Sequence, residues 1–175
     1  MKQVELTKGY VALVDDEDYE RVAQFKWRAQ RCYFKDGTVR NVYACRTGKG
    51  ADGKWNVLVM LHRFVVGIAD MSMDVDHGDH DGLNCQRHNL RVCSHSQNNA
   101  NNRVRITSRS GYKGVTWHKP LEKWVANIRI EGRLTYLGLF PSKEQAALAY
   151  NQAAERHFGE FAYLNSVTTQ ENSTT

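Results

Sequence analysis

Residues 123–130, Lys-Trp-Val-Ala-Asn-Ile-Arg-Ile, alternate with period two. Trp124, Ala126 and Ile128 fall on one face of an extended chain, and Lys123, Val125, Asn127 and Arg129 on the other. A strand with one apolar face has to join a sheet whose apolar side is covered. Runs at 114–117 and 134–140 supply sheet partners, and the segment from Lys143 to about His157 supplies the cover. Ser142, with Gln145 three residues on, caps that helix, and Gly159 stops it. Its alanine-rich stretch, 145–154, permits close approach to the sheet. The expectation is a three-stranded antiparallel sheet packed on one α-helix.

The face left open is polar and cationic, and the surrounding charge is uneven. Thirteen of the nineteen acidic residues precede Gly82, whereas nine Lys/Arg stand between Arg103 and Lys143 against only Glu122 and Glu131. The net charge is +5. A basic block of that density attracts a polyanion, because each neutralised phosphate releases condensed counterions. A three-stranded ribbon also fits the major groove of duplex DNA.

Upstream, positions 1–70 read as β-rich. Tyr10–Val14 reads as a strand, Asp15 and Asp16 cap a short helix through Phe25, and strands are expected at 39–46 and 55–61 around the turn-rich 47–53. A further helix begins at His62 and runs to Gly67. His62 reads as structural or DNA-proximal. No stretch approaches the roughly 18 apolar residues of a membrane span, and the N-terminal segment 1–5 lacks a signal-peptide core. A cytoplasmic protein is expected, in the host cell if a phage encodes it, and a monomer is favoured.

The segment 71–102 is unusually rich in Asp, His and Asn. Asp76-His77 ends a strand, a polar loop follows, 89–93 form a second strand, and Ser94 opens a helix with Gln97 in the reciprocal capping position. Asn98 then lies about one turn inside that helix. Asp76 offers a carboxylate oxygen and Asn98 an amide oxygen, both suited to Mg²⁺ or Mn²⁺. His77, as a neutral imidazole, would take a proton from an attacking water. His80 is the reserve base, and His80, His88 and His95 otherwise read as polar surface groups. Cys85 and Cys93 lie near His88 and His95, but the two cysteines stand too far apart in the chain for a zinc pair. Reduced thiols are the reading, and no zinc is expected.

The runs Val75-Asp76-His77, Arg87-His88-Asn89-Leu90-Arg91 and Ser96-Gln97-Asn98-Asn99 resemble the HNH (ββα-metal) endonucleases, particularly phage and intron-associated homing enzymes. The resemblance runs over 75–102, with twelve positions from His77 to Asn89 and nine on to Asn98. It implies His77 as general base, Asp76 with Asn98 as metal ligands, and Asn89 as the residue that holds the loop so that the histidine is oriented. Members commonly carry Asp-Asn where this chain has Asn84-Cys85.

The segment 110–165 resembles the plant ethylene-response-factor (APETALA-type) DNA-binding domain. The matching pieces are Tyr112-Lys113-Gly114-Val115, Trp124 to Arg129, Tyr136-Leu137-Gly138 and the helix ending His157-Phe158-Gly159. The resemblance implies that Lys113, Thr116, His118, Asn127, Arg129 and Tyr136 face DNA. Thr116, His118 and Tyr136 replace family arginines and a tryptophan, so the plant recognition sequence does not transfer.

The reading is an α+β chain. An N-terminal β-rich segment leads into a ββα-metal nuclease module (1–102, motif 75–102). A basic linker (103–110) tracks the strand through Arg103, Arg105 and Arg109, and an APETALA-type domain (111–165) and a flexible tail (166–175) follow. The expected activity is hydrolysis of phosphodiester bonds in double-stranded DNA with one divalent ion. The alternative is a non-catalytic DNA-binding regulator with a decayed nuclease motif.

Overall fold

The computed structural model describes residues 1–49, 53, 56–103 and 108–167. The fold is α+β, with small antiparallel sheets among short helices. The chain divides into two compact units, Met1–Ser94 and His95–Thr175.

In the first unit β1 (Lys2–Glu5) pairs with β2 (Val11–Val14). Helix α1 (Asp16–Ala23) follows, with Asp16, Glu17 and Asp18 at its positive end. It ends before Phe25, and Asp15 does not cap it through its side chain. The Asp15 carboxylate instead accepts from Gln86 Nε2 at 3.0 Å and from the Arg87 backbone N–H at 2.7 Å. A long-range partner has displaced the local one.

Strands β3 (Arg28–Tyr33), β4 (Val39–Gly48) and β5 (Val57–Met60) form a second sheet in that order. The expected start of the last strand at Trp55 lies outside the described residues. Helix α2 (Leu61–Val66) ends at Gly67, whose φ of +78° is left-handed and whose N–H donates to Arg63 O at 2.9 Å. Strands β6 (Asp74–His77) and β7 (Leu90–Cys93) close the unit as a two-stranded sheet.

Val14, Val22, Leu61 and Val65 are buried in one core with Trp27, whose indole N–H donates to Val22 O. Each such side chain contributes about 1.5–3 kcal/mol by leaving water. One buried charge sits beside this core. Asp18 is 2% exposed and receives two hydrogen bonds from Arg87, each 2.8 Å, and one from Arg21. Arg21 also donates to Phe64 O and Val65 O, which ties α1 to α2.

The second unit begins with α3 (His95–Asn101). The unit boundary precedes this helix. Strands β8 (Val115–His118), β9 (Lys123–Ile130) and β10 (Arg133–Phe140) form an antiparallel sheet with β9 in the centre. Helix α4 (Lys143–Phe158), capped by Ser142 Oγ, covers one face. Val115, Ala126 and Ile128 pack there against Ala146, Ala147, Tyr150 and Ala154. Gly114 is required at the contact: its φ is +76°, and a Cβ there would lie 2.0 Å from the Tyr150 ring. Among the described residues no helix is long and apolar enough to cross a membrane.

Candidate functional site

Asp76 and His77 are the last two residues of β6, and both are buried. The antiparallel register sets Asp76 opposite Arg91 and His77 opposite Leu90. Directly opposed residues share a sheet face, and Arg91 Nη2 accordingly donates to Asp76 Oδ2 in a close ion pair.

The turn after His77 is built from side chains as much as from backbone. Asn89 Nδ2 donates to Asp79 Oδ1 at 2.9 Å and to Asn84 O at 2.8 Å, and its Oδ1 accepts from Asp79 N at 3.0 Å. Its own carbonyl accepts from Gly78 N at 2.9 Å. One buried asparagine thus ties down both ends of the loop leaving the histidine. Asn84 Nδ2 reaches Asp79 Oδ2 at 2.7 Å, and the Cys85 N–H donates to Leu13 O at 2.8 Å, so the two residues that depart from the usual motif also belong to the loop's bonding.

The N-terminal sheet supports this loop from behind. Asn41 Oδ1 accepts from Gly82 N at 3.2 Å, and Asn41 Nδ2 donates to His80 O at 3.3 Å. Gly82 lies so close to β4 that a Cβ would sit 2.5 Å from Val42 O and 2.7 Å from the Tyr43 ring. The His77 ring packs edge-on to His62, centroids 5.0 Å apart, and tilted to Tyr43 at 5.8 Å. Burial holds the His77 pKa below the ordinary histidine value, although Asp79, Asp76 and Asp81 pull it upward. His62 is pushed down to about 3, chiefly by burial and then by His77 and Arg63. Both imidazoles are therefore neutral at neutral pH. Among the described residues no polar partner meets His62 Nδ1.

Sequence reasoning left Asn41, Tyr43 and Arg91 out of the site. Arg91 had a usable signal, since pairing of the two strands sets it across from Asp76. Asn41 and Tyr43 had none, because they arrive from β4, a strand of another sheet that is remote in the chain.

The donor chemistry bears on which metal would suit this place. Among the described residues no group of three or more His, Cys, Asp or Glu is set to hold an ion. Burial pushes the Cys85 thiol up to about 12 and the Cys93 thiol up to about 11. The carboxylate of Asp76 beside His77 is a hard oxygen donor of the kind Mg²⁺ and Mn²⁺ take. Asn98 lies half-buried on α3, in the second unit.

In the second unit the register gathers most of the expected DNA-facing residues on the side of the sheet away from α4. Thr116 opposes Val125, His118 opposes Lys123, Asn127 opposes Tyr136 and Arg129 opposes Leu134. Thr116, Lys123, Arg129, Leu134 and Tyr136 are exposed. His118 Nδ1 accepts from Leu121 N at 3.3 Å, and Arg129 Nη1 donates to Gly132 O at 2.6 Å. Lys113 departs from expectation. Its Nζ is turned inward, onto backbone carbonyls of Asn99, Ala100 and Asn102 at 3.3, 2.5 and 2.7 Å. Arg103 and Arg109 are exposed, and Arg105 lies outside the described residues.

The fold and these two sites define an α+β protein with a buried aspartate–histidine hairpin in one unit and an open cationic sheet in the other. The chain is 33% identical over 175 residues to an uncharacterized HNH endonuclease of Acanthamoeba polyphaga mimivirus, an alignment covering 91% of this chain and 77% of that one. The chain belongs to the HNH endonuclease family. It is also 32% identical over 88 residues to Protein 3.8 of Escherichia phage T7, covering 50% of this chain and 72% of that one. Over 59 residues it is 48% identical to dehydration-responsive element-binding protein 2E of Oryza sativa subsp. japonica, covering 31% of this chain and 17% of the plant protein. No family model matches the chain, and no solved structure does.

Proposed function

We propose that this protein is a metal-dependent endonuclease that hydrolyses phosphodiester bonds in double-stranded DNA, with the sheet of its second unit gripping the duplex. The observation that carries the reading is the loop leaving His77, held by five hydrogen bonds of Asn89 while the imidazole stays buried and neutral beside Asp76. A neutral, oriented imidazole is the form able to accept a proton from water.

In this reading His77 takes the proton of the water that attacks phosphorus. Asp76 would offer its carboxylate oxygen to one Mg²⁺ or Mn²⁺. The bound ion supplies positive charge at the scissile phosphate and the leaving 3′ oxygen. Asn89 keeps the 78–86 loop closed over the hairpin, and the rings of His62 and Tyr43 limit rotation of the His77 imidazole. Arg91 balances the Asp76 charge and brings a guanidinium next to the place a phosphate would occupy.

Binding is assigned to the outer face of β8–β10, where Thr116, His118, Asn127, Arg129 and Tyr136 are brought together, with Arg103 and Arg109 as further phosphate contacts. The rice relative, similar to this chain over 59 residues, is named as an element-binding protein.

Supercoiled plasmid incubated with Mg²⁺ or Mn²⁺ tests the proposal. Nicking or linearisation is expected from the native chain. His77→Ala should abolish cleavage while duplex binding stays unchanged. Equal binding with no cleavage by either protein would favour a DNA-binding regulator instead.

A further inference from the structure

Residues 26–49 hold seven Lys/Arg against one acidic residue, Asp36, whereas residues 1–25 hold six acidic residues against three Lys/Arg. The cationic stretch folds as the hairpin of β3 and β4, exposed at every position from Tyr33 to Arg40. Phe34 N–H donates to Thr38 O at 2.9 Å across the turn. The Asp36 carboxylate accepts from the Thr38 N–H at 2.9 Å and from its hydroxyl at 2.6 Å, so the one acid is folded back on its own turn. Arg28, Arg31 and Lys35 are exposed, and among the described residues no carboxylate pairs with them. Tyr33 and Phe34 stand in water beside them, 50% and 40% exposed. Surfaces that serve solubility alone intersperse both signs of charge; a field of one sign steers a partner of the other.

The same hairpin borders the Asp76–His77 loop within the first unit. Tyr43 of β4 packs its ring against His77, and Asn41 bonds to Gly82 N and His80 O. Burial raises the Tyr43 pKa and the Cys32 thiol adds to this; the Asn41 hydrogen bond and the Arg40 charge oppose it, and Asp76 raises it again. The phenol therefore lies within electrostatic reach of both the cationic hairpin and Asp76. A phosphate presented to His77 meets the negative charge of Asp79, Asp76 and Asp81, which act on that imidazole. Cations bordering the loop offset this repulsion. Arg28 and Arg31 leave opposite faces of β3, but β3 is the edge strand of its sheet, so both long side chains border one rim. Its six residues, at about 3.3 Å each, span about 20 Å, the length of about six base pairs of duplex. A rim of that length can meet several phosphates.

We propose that the β3–β4 hairpin is a duplex-binding surface of the nuclease unit itself, with Arg28, Arg31 and Lys35 on backbone phosphates near the one presented to His77. This rests on the reading of the chain as an endonuclease acting on double-stranded DNA. It adds a grip that does not depend on the sheet of the second unit. The contacts are to phosphate, so they hold the duplex without reading its sequence.

The test uses the full chain without divalent ion, so that no cleavage intervenes, and measures affinity for a fluorescent duplex across a salt series. Arg28→Gln, Arg31→Gln and Lys35→Gln combined should lower the slope of log affinity against log salt by about two to three. If the combined variant does not fold, each single substitution should lower it by about one. Lys2→Gln with Lys8→Gln removes two exposed lysines outside the hairpin and should leave the slope within about half a unit of the native value. An unchanged slope in the hairpin variants overturns the proposal. So does an equal loss per charge in the Lys2 and Lys8 variant, which would reflect net charge alone. A loss seen with single-stranded DNA and not with duplex overturns it in favour of a single-strand contact. The plasmid assay on the native chain separates the two layers. If that chain neither binds nor cuts duplex, the endonuclease reading falls and the hairpin contact falls with it; if it does both while the hairpin variants keep the native slope, only the hairpin contact is lost.

Discussion

The imidazole of His62 stands edge-on to that of His77, with centroids 5.0 Å apart and ring planes 84° apart. His62 enters from α2, and Tyr43 from β4 completes the cluster, 5.9 Å from His62 and 5.8 Å from His77. What faces His77 here is ring surface, so shape matters more than charge. His62→Ala removes that wall and should lower single-turnover cleavage about tenfold, the order expected when a catalytic group is displaced slightly. His62→Phe keeps an aromatic edge and should retain most of the rate. Equal losses in both variants would show that a nitrogen of His62, and not its ring, is what matters.

Asn89 ties the loop through its amide nitrogen and oxygen together. Asn89→Ala loses these bonds and strands Asp79 groups near the hairpin. A cost of about 2–3 kcal/mol is expected in urea unfolding, since buried partners left unsatisfied carry their desolvation penalty. Cleavage should fall further than stability alone explains, at a temperature where both proteins remain folded.

Asp18 gives the fold a pH dependence. Burial alone would raise its pKa, but hydrogen bonds and charge from Arg87 and Arg21 outweigh burial and lower it. A carboxyl with a depressed folded-state pKa contributes stability above its unfolded value, near 4, and loses it as pH falls through the folded value. The native chain should therefore lose stability below about pH 4, and Asp18→Asn should flatten that part of the curve. Arg87→Met should cost about 2 kcal/mol at pH 7, on the low side for a buried pair because Arg87 is half-exposed and Arg21 remains.

Arg129 is exposed on the open sheet face, two residues beyond Asn127 and opposite Leu134. Arg129→Ala should weaken duplex binding, and the slope of log affinity against log salt should drop by about one if the guanidinium meets a phosphate. An unchanged slope with relaxed sequence preference would assign it to a base edge instead.

Local pattern made much of this molecule legible. β9 spans the residues that period-two alternation marks, and α4 runs from its capping serine to one residue past the expected end. The Asp76–His77 hairpin was readable for a related reason, since strand, turn and strand follow one another within the single stretch 74–93. Strands β1 and β3 were not readable: β1 buries one residue in four, and β3 carries charged and polar residues without a sustained apolar alternation. Pairing partners, not propensity, make them strands.

By itself the sequence determined the elements with strong periodicity, the cap and stop of α4, and the spacing of Asp76, His77, Asn89 and Asn98. Tertiary structure alone decided where long or polar side chains end. Asp15 leaves its own helix for Gln86 and Arg87, Lys113 turns from the expected DNA face to the carbonyls of α3, and Asn41, Tyr43 and His62 converge behind the loop and His77 from distant elements. The physical reason is that periodicity records which side of an element is apolar. The destination of a hydrogen-bonding group depends on which unpaired donors and acceptors packing brings within about 3 Å of it.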